Sequence, residues 1–365
     1  MLLSAALIVR DEEQQLGGCL ESIQSLADEI VVVDTGSVDH TVDVARRFGA
    51  RLEHFQWNDN FSDARNRVLD LVCGEWVLYI DADERVLPCN LAEARAQLDD
   101  SAYAAYEVLL RPRPRYTPYK ILRLFRSDPK IRFQGAIHES IWPAVQAHCG
   151  GRMRVGHSPL LLEHVGYEGD QSRKHRRNLP LLQAALQADP TRIYCWCHLA
   201  DIHAASGEHD LAIHSLETAL RMVRTKHQLS PDDSLPYLRL IHLGIEAGSD
   251  VSTLLVEASD RFPGNAQLLW LKGRAHMSSA NYELAIPLFL RLIELGEGTE
   301  LDRSSAYDSR IFGVFAYDSL ATCCFRLRRF EESRHYYHLA ESVEPGQLDY
   351  RAKQALCANL ARGRE

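Results

Sequence analysis

Two carboxylates carry the first chemical signal in this chain. Asp81 and Asp83 stand one residue apart in "YIDADERV", where the apolar run "EWVLYI" gives out. Paired acids at the end of a buried strand suit a hard divalent cation. Magnesium and manganese prefer oxygen ligands, often take only one or two of them from protein and fill the rest from phosphates. One carboxylate can then bind the ion directly while the other acts through water or touches a ribose. Such a pair recruits a metal together with a diphosphate, although the same three residues also serve elsewhere as a solvated turn.

These acids need a frame to hold them. In the first half, short apolar runs alternate with helical ones: "SAALIVR", a helix near "EQQLGGCLESI", "EIVVVDT", a helix near "HTVDVARRF", "RLEHFQW", a helix near "SDARNRVLDLV", then "EWVLYID". That alternation predicts a mainly parallel sheet covered on both faces. Ligands bind outside the carboxyl ends of such strands. Asp34 follows the second strand and Asp81 the fourth, so both acidic motifs are expected on one edge of one sheet.

From about Asp189 the strands stop. "SGEHDLAIHSLETAL", "SANYELAIPLFLRLI" and "LRRFEESRHYYHLAE" align without gaps, which puts Ala212, Ala285 and Ser333 at one small-residue position. "AGSDVSTLLVEASDRFP" fills the same role more loosely, and Pro190, Pro263 and Pro345 end units. Small residues recurring where two helices must pack closely predict a tetratricopeptide-like stack of roughly three or four units. Such stacks bind peptides or make subunit contacts, and some only buttress a neighbouring domain. The expected division is an α/β domain over residues 1–180 and an all-α repeat domain over 181–365.

Composition bounds the function. The chain has 365 residues, 46% hydrophobic and 25% charged, with a net charge of −9. That length suits two domains. An acidic balance argues against general nucleic-acid binding, which needs a basic face for phosphate backbones. "MLLSAALIVR" is short, lacks a basic leader and passes straight into "DEEQ", so it reads as a first strand rather than a signal peptide. No stretch approaches the roughly 18–20 apolar residues that cross a bilayer. A cytoplasmic protein without a transmembrane segment is the expectation. The nine cysteines are odd in number and scattered, and the close pairs Cys195 with Cys197 and Cys323 with Cys324 fall within helical patterns. Reduced core thiols are expected, rather than disulfides or a zinc site.

Further motifs occur in order along the first half: "ALIVRDEEQQLGGCLESI", "DEIVVVDTGSVDHT", "FQWNDNFSDARN", "EWVLYIDADE", "RLFR", "GAIHES" and "EHVGY". In these the chain resembles the family 2 glycosyltransferases, especially a bacterial branch with a tetratricopeptide tail. The resemblance implies a GT-A fold, the Rossmann-like α/β fold of nucleotide-diphospho-sugar transferases, followed by an all-α tetratricopeptide-like repeat domain. It also implies sugar transfer from a nucleotide-diphosphate donor, commonly a UDP-sugar, usually with inversion and a divalent metal, Mn2+ or Mg2+. By the same resemblance Asp34 looks like the acid that binds the base, with Gly36 and Ser37 shaping its turn. Arg10 and Glu12 fall where the family holds the nucleoside, and Arg65 and Asn66 where it contacts nucleotide and diphosphate. Asp81 would face the ribose or the metal's water shell, and Asp83 looks like the direct metal ligand.

An inverting transfer needs a base on the acceptor side, and Glu139 in "IHES" is the first candidate. His138 beside it is read as a metal ligand or a donor-orienting residue, since neighbours on an extended segment point opposite ways. His164 in "LEHVGY" is the other metal-ligand candidate, placed slightly ahead of His138. Two basic stretches remain. "RPRPRYTPYK", Arg111 to Lys120, cannot be a helix interior because of its prolines and reads as an exposed loop. "SRKHRRN", Ser172 to Asn178, leads into a helix from which Arg173, Lys174 or Arg177 could reach the diphosphate, helped by the free amides of a helix start. One departure stands out: "NDNF" (Asn58, Asp59, Asn60) replaces the family's frequent "DDF".

The acceptor stays open between a peptide or protein side chain and a glycan of surface polysaccharide or lipopolysaccharide assembly. So does a homodimer through the repeat tail. Two other classes compete: a non-catalytic interaction scaffold, which would have lost Asp34, Asp83 or the late acid, and a nucleotidyltransferase, which would carry a glycine-rich basic loop where this chain has "VRDEEQQL".

Overall fold

The computed structural model describes residues 1–150, 154–165 and 172–362, apart from the side chains of Arg173 and Leu348. Two compact units result: Met1–Pro114 with Pro118–Pro190, and Arg115–Thr117 with Thr191–Glu365.

The first unit runs β1 (Leu3–Val9), α1 (Leu16–Ile23), β2 (Glu29–Asp34), α2 (Thr41–Arg47), β3 (Arg51–His54), α3 (Phe61–Leu69), β4 (Trp76–Tyr79), β5 (Glu84–Val86), α4 (Leu91–Ala96), β6 (Tyr103–Arg111), β7 (Tyr119–Arg126), α5 (Trp142–Cys149), β8 (Arg154–His164) and α6 (Ser172–Ala188). Its sheet has the order β3-β2-β1-β4-β7-β6-β8-β5. The first four of these strands are parallel, as the strand–helix alternation predicts. Beyond β4 the expected mainly parallel sheet becomes mixed. β6 and β7 are joined by a short connection and so pair antiparallel, β7 is antiparallel to β4, and β5 to β8. β6 and β8 return to parallel pairing.

Both faces are covered. Leu16, Cys19, Leu20 and Ile23 are the buried positions of α1, one helical stripe of spacing three and four. They share a core with Leu7, Leu78 and Leu124 of the strands and with Val44 of α2 and Ala94 of α4. On the opposite face Val31, Val33, Val77 and Phe125 pack with Val68 of α3 and Val145 of α5. Strands buried on both faces read as unbroken apolar runs, which explains "SAALIV" and "EIVVV". The basic stretch expected as a loop is partly strand: Arg111 ends β6, Tyr119 and Lys120 open β7, and residues 112–118 connect them. Ser172 to Asn178 lie inside α6 itself, and that helix continues unbroken through residues 180 and 181.

The second unit continues with α7 (Ile193–Ala205), α8 (His209–Thr225), α9 (Leu235–Glu246), α10 (Ser252–Arg261), α11 (Ala266–Ser278), α12 (Tyr282–Glu297), α13 (Val314–Arg326), α14 (Phe330–Val343) and α15 (Leu348–Arg362). α7 to α14 form four successive pairs. Ala212, Ala285 and Ser333 are all buried, at 4%, 0% and 0% exposed, as close helix packing requires. The Ser333 hydroxyl donates to the Ala321 carbonyl at 2.8 Å, so its polar atom is satisfied inside the core. Pro190, Pro263 and Pro345 each follow a helix end, after Ala188, Arg261 and Val343, because the residue before a proline avoids the helical region. Cys19, Cys195, Cys197, Cys323, Cys324 and Cys357 are buried thiols. Burial pushes Cys197 and Cys323 up to about 12. Among the described residues no helix is long and apolar enough to cross a membrane.

The turns between paired helices share one conformation. Gly207, Gly248, Ala280 and Arg328 all have left-handed φ, at 78°, 68°, 57° and 61°. A side chain there costs about 1–2 kcal/mol, partly offset by the greater unfolded-state entropy of glycine. Ala280→Gly and Arg328→Gly are therefore expected to stabilise the protein by about 0.5–1 kcal/mol, and Gly207→Ala to destabilise it by a similar amount, in urea unfolding.

Candidate active site

The loops that leave β1 and β2 are stitched to each other. The Asp11 amide donates to Ser37 Oγ at 2.9 Å, and the Val38 amide returns a bond to Asp11 Oδ1 at 2.9 Å. The Glu12 amide donates to Thr41 Oγ1 at 2.7 Å, and the His40 amide to Glu13 Oε2 at 2.9 Å. Gly36 has a φ of 105° with open space where a Cβ would stand, so the turn itself demands the glycine. Arg10 is exposed at the end of β1. Arg10, Glu12, Asp34, Gly36 and Ser37 thus belong to one pair of loops, as their motifs imply.

Asp34 is only 1% exposed. Its carboxylate accepts the Gly36 and Ser37 amides at 3.2 Å and lies 3.1 Å from His54 Nδ1. It braces the turn that presents Gly36 and Ser37 rather than standing open to solvent.

Asp81 follows β4 on the same edge of the sheet. Its carboxylate meets two arginines from other elements: Arg65 Nη2 of α3 at 2.8 Å and Arg123 Nη2 of β7 at 3.3 Å. Burial alone would raise the Asp81 carboxyl, but the two guanidiniums outweigh it and hold it well below the usual range. Arg65 also pairs with Glu139 at 2.5 Å, so one guanidinium joins the acid after β4 to the acid of "IHES". Both arginines lie over the Tyr79 ring, 5.0 Å and 4.3 Å from its centroid.

Asp83 is brought to His164. The β5–β8 ladder sets Glu84 opposite His164, the Val165 amide donates to the Asp83 carbonyl at 2.8 Å, and His164 Nε2 lies 3.2 Å from Asp83 Oδ2. A carboxylate oxygen and an imidazole nitrogen, both partly exposed, make a donor set that suits a divalent cation whose other positions come from water or phosphate. Among the described residues no group of three His, Cys, Asp or Glu forms a fuller cage, so His138 does not join this pair. His138 has a φ of 50°, inside a loop closed by the Gln134–Ser140 bridge. The extended segment expected around "IHES" is therefore a tight turn, and the opposite-facing argument for His138 and Glu139 does not apply to it.

Asn66 is spent on structure. Its amide donates to the Phe133 carbonyl at 3.0 Å and accepts the Phe133 amide at 2.8 Å, tying α3 to the segment before "GAIHES". The altered "NDNF" also has a local task, since Asn60 caps α3 by accepting the Asp63 amide. In α6 the Arg173 side chain lies outside the described residues, as do Gly166 and Tyr167 of "EHVGY". Lys174 is near enough to Glu12 to lower its carboxyl, and the Arg177 guanidinium lies 5.2 Å from the Phe61 ring centroid.

Sequence reasoning missed Arg123 and Glu84. Each had a signal: an arginine interrupting the apolar run "ILRLF" of β7, and a glutamate directly after "DAD". Residues Asp11 to Gln15 with Val38 and Asp39 line an acidic recess of about 430 Å³. Within it Glu12 is pushed up to about 7 by burial first, then by Asp83, Asp81 and Asp39. The folded state therefore binds more protons than the unfolded one between about pH 4.5 and 7, and stability falls as pH rises through that window. Glu12→Gln should remove this loss, raising Tm more at pH 8 than at pH 5 in paired thermal melts.

The comparisons with known proteins agree with this layout. Residues 4–155 match the model of glycosyl transferase family 2, and residues 193–222 that of the tetratricopeptide repeat. A TPR repeat-containing protein of Synechococcus elongatus is 33% identical over 252 residues, covering 67% of this chain and 61% of that protein. The SPbeta prophage-derived glycosyltransferase SunS of Bacillus subtilis is 26% identical over 204 residues, covering 52% of this chain and 46% of SunS. The chain thus spans about three-fifths and about half of these relatives. The solved structure of S. aureus TarS 1–349 with UDP-GlcNAc is 16% identical with a TM-score of 0.40, covering 72% of this chain and 92% of that one. That likeness is too slight to bear on the donor. The chain carries a family 2 glycosyl transferase domain in its first half and a tetratricopeptide repeat in its second.

Proposed function

We propose that this chain is a metal-dependent inverting glycosyltransferase that moves a sugar from a nucleotide-diphosphate donor, a UDP-sugar in the first instance, to a peptide or protein acceptor chosen with the helical repeats. The observation that carries this reading is the Asp83–His164 pair at 3.2 Å, beside an Asp81 held ionised by two arginines, at the carboxyl edge of a sheet in a family 2 domain. Asp83 and His164 would hold the cation. When bound, it supplies Lewis-acid stabilisation of the departing diphosphate.

The protein's own groups do the rest. Asp81, ionised, faces the ribose side, and the stitched β1 and β2 loops hold the nucleoside. Lys174 and Arg177 near the start of α6 face the diphosphate with the helix amides. Glu139 takes the acceptor proton as the acceptor atom bonds to the anomeric carbon and the bond from that carbon to the diphosphate oxygen breaks. Arg65 holds Glu139 in place through the 2.5 Å pair. The successive helix pairs of the second unit are of the kind that takes extended peptides, which favours a polypeptide acceptor over a glycan.

A nucleotide panel tests the donor half of this reading. A ligand at about 100 times its Kd stabilises the folded state by about 2.7 kcal/mol, a Tm shift of about 5–11 °C for a domain of about 150–250 residues. UDP with Mn2+ is expected to give that shift, UDP with EDTA much less, and Asp83→Ala to lose the metal-dependent part. No shift with UDP, GDP, CDP or dTDP would sink the catalytic reading and favour the scaffold.

A further inference from the structure

Glu84 is a charge the proposed chemistry leaves unused and Arg123 enters it only as a partner of Asp81, yet they are 1% and 5% exposed. Charges buried this deeply persist only when paired, and a pair rarely adds net stability over an apolar isostere. Their contacts point to a positional role. Arg123 Nη2 lies 2.5 Å from Glu84 Oε1 and 3.3 Å from Asp81 Oδ2. Glu84 Oε2 accepts the Asp81 amide at 3.0 Å, while the Glu84 amide donates to the Asp81 carbonyl at 3.0 Å. These two bonds close a ring across Asp81, Ala82 and Asp83. Glu84 is also the β5 residue opposite His164. β5 has only three residues, a weak tether for a register that must bring Asp83 to His164.

We propose that the buried Arg123–Glu84 pair positions Asp83 against His164, making both positioning residues for the cation site and ligands of nothing. This rests on reading Asp83 and His164 as that site. The pair anchors the Asp81–Glu84 turn to β7 at the centre of the sheet, so the Asp83 carboxylate meets His164 at one distance instead of sampling several.

The test is Mn2+ binding to the full chain, read by loss of the free-ion electron paramagnetic resonance signal, with UDP present. UDP affinity in EDTA is measured in parallel. Glu84→Gln keeps the shape and the bond to the Asp81 amide but removes the charge. Glu84→Gln with Arg123→Met removes the pair without stranding either charge, and serves if the single variant does not fold. The folded variant is expected to bind Mn2+ roughly 10–100-fold more weakly, with UDP affinity in EDTA within about two-fold of wild type for Glu84→Gln. A pair that merely stabilised the fold would lower Tm and leave Mn2+ affinity unchanged, and wild-type affinity in either folded variant overturns the inference. Failure of the wild type itself to bind Mn2+ would instead remove the cation reading, and this inference with it.

Discussion

The structure of the first unit turns on a carboxylate at the end of a buried strand. Asp81 leaves β4 where desolvation favours the neutral acid, and Arg65 and Arg123 outweigh it and keep the carboxylate charged. Neither is local: one comes from α3, the other from β7. The antiparallel pairing of β7 with β4 is one of three that make the sheet mixed. A strand placed antiparallel beside β4 puts an arginine next to Asp81, with the Tyr79 ring packed under both guanidiniums. Arg65 then reaches on to Glu139, so charge balance at Asp81 also sets the position of the acid proposed as base.

Around this neutralised centre the field is acidic. Glu12 is raised by burial first and then by Asp83, Asp81 and Asp39, while Lys174 lowers it. A dianionic diphosphate would meet repulsion here without a cation, and a cation would find a carboxylate and an imidazole already side by side. The stitching of the β1 and β2 loops has the same logic. Backbone amides of Asp11, Glu12, Val38 and His40 take up side-chain oxygens, which holds an acid-rich edge in one shape despite its self-repulsion.

The helical unit solves a different problem by repetition. In three of the four pairs a buried small residue follows a left-handed turn residue by five positions: Gly207 with Ala212, Ala280 with Ala285 and Arg328 with Ser333. The small position tolerates no bulk, so it stands out in the sequence. The turn position tolerates strain, so alanine and arginine occupy it and the pattern blurs.

The amino-acid sequence by itself determined the strand and helix order as far as β4, the shared edge of Asp34 and Asp81, and the aligned small residues of the repeats. These follow from short-range periodicity, which local sterics and burial write directly into residue order. Only the tertiary structure decided the partners. The antiparallel entry of β7, the Arg65 link between Asp81 and Glu139, the pairing of Asp83 with His164 and not with His138, and the return of Asn66 to the Phe133 backbone all join residues far apart in the chain. The physical reason is that a buried charge fixes how much compensation it needs but not which element supplies it. That choice belongs to the register of the sheet.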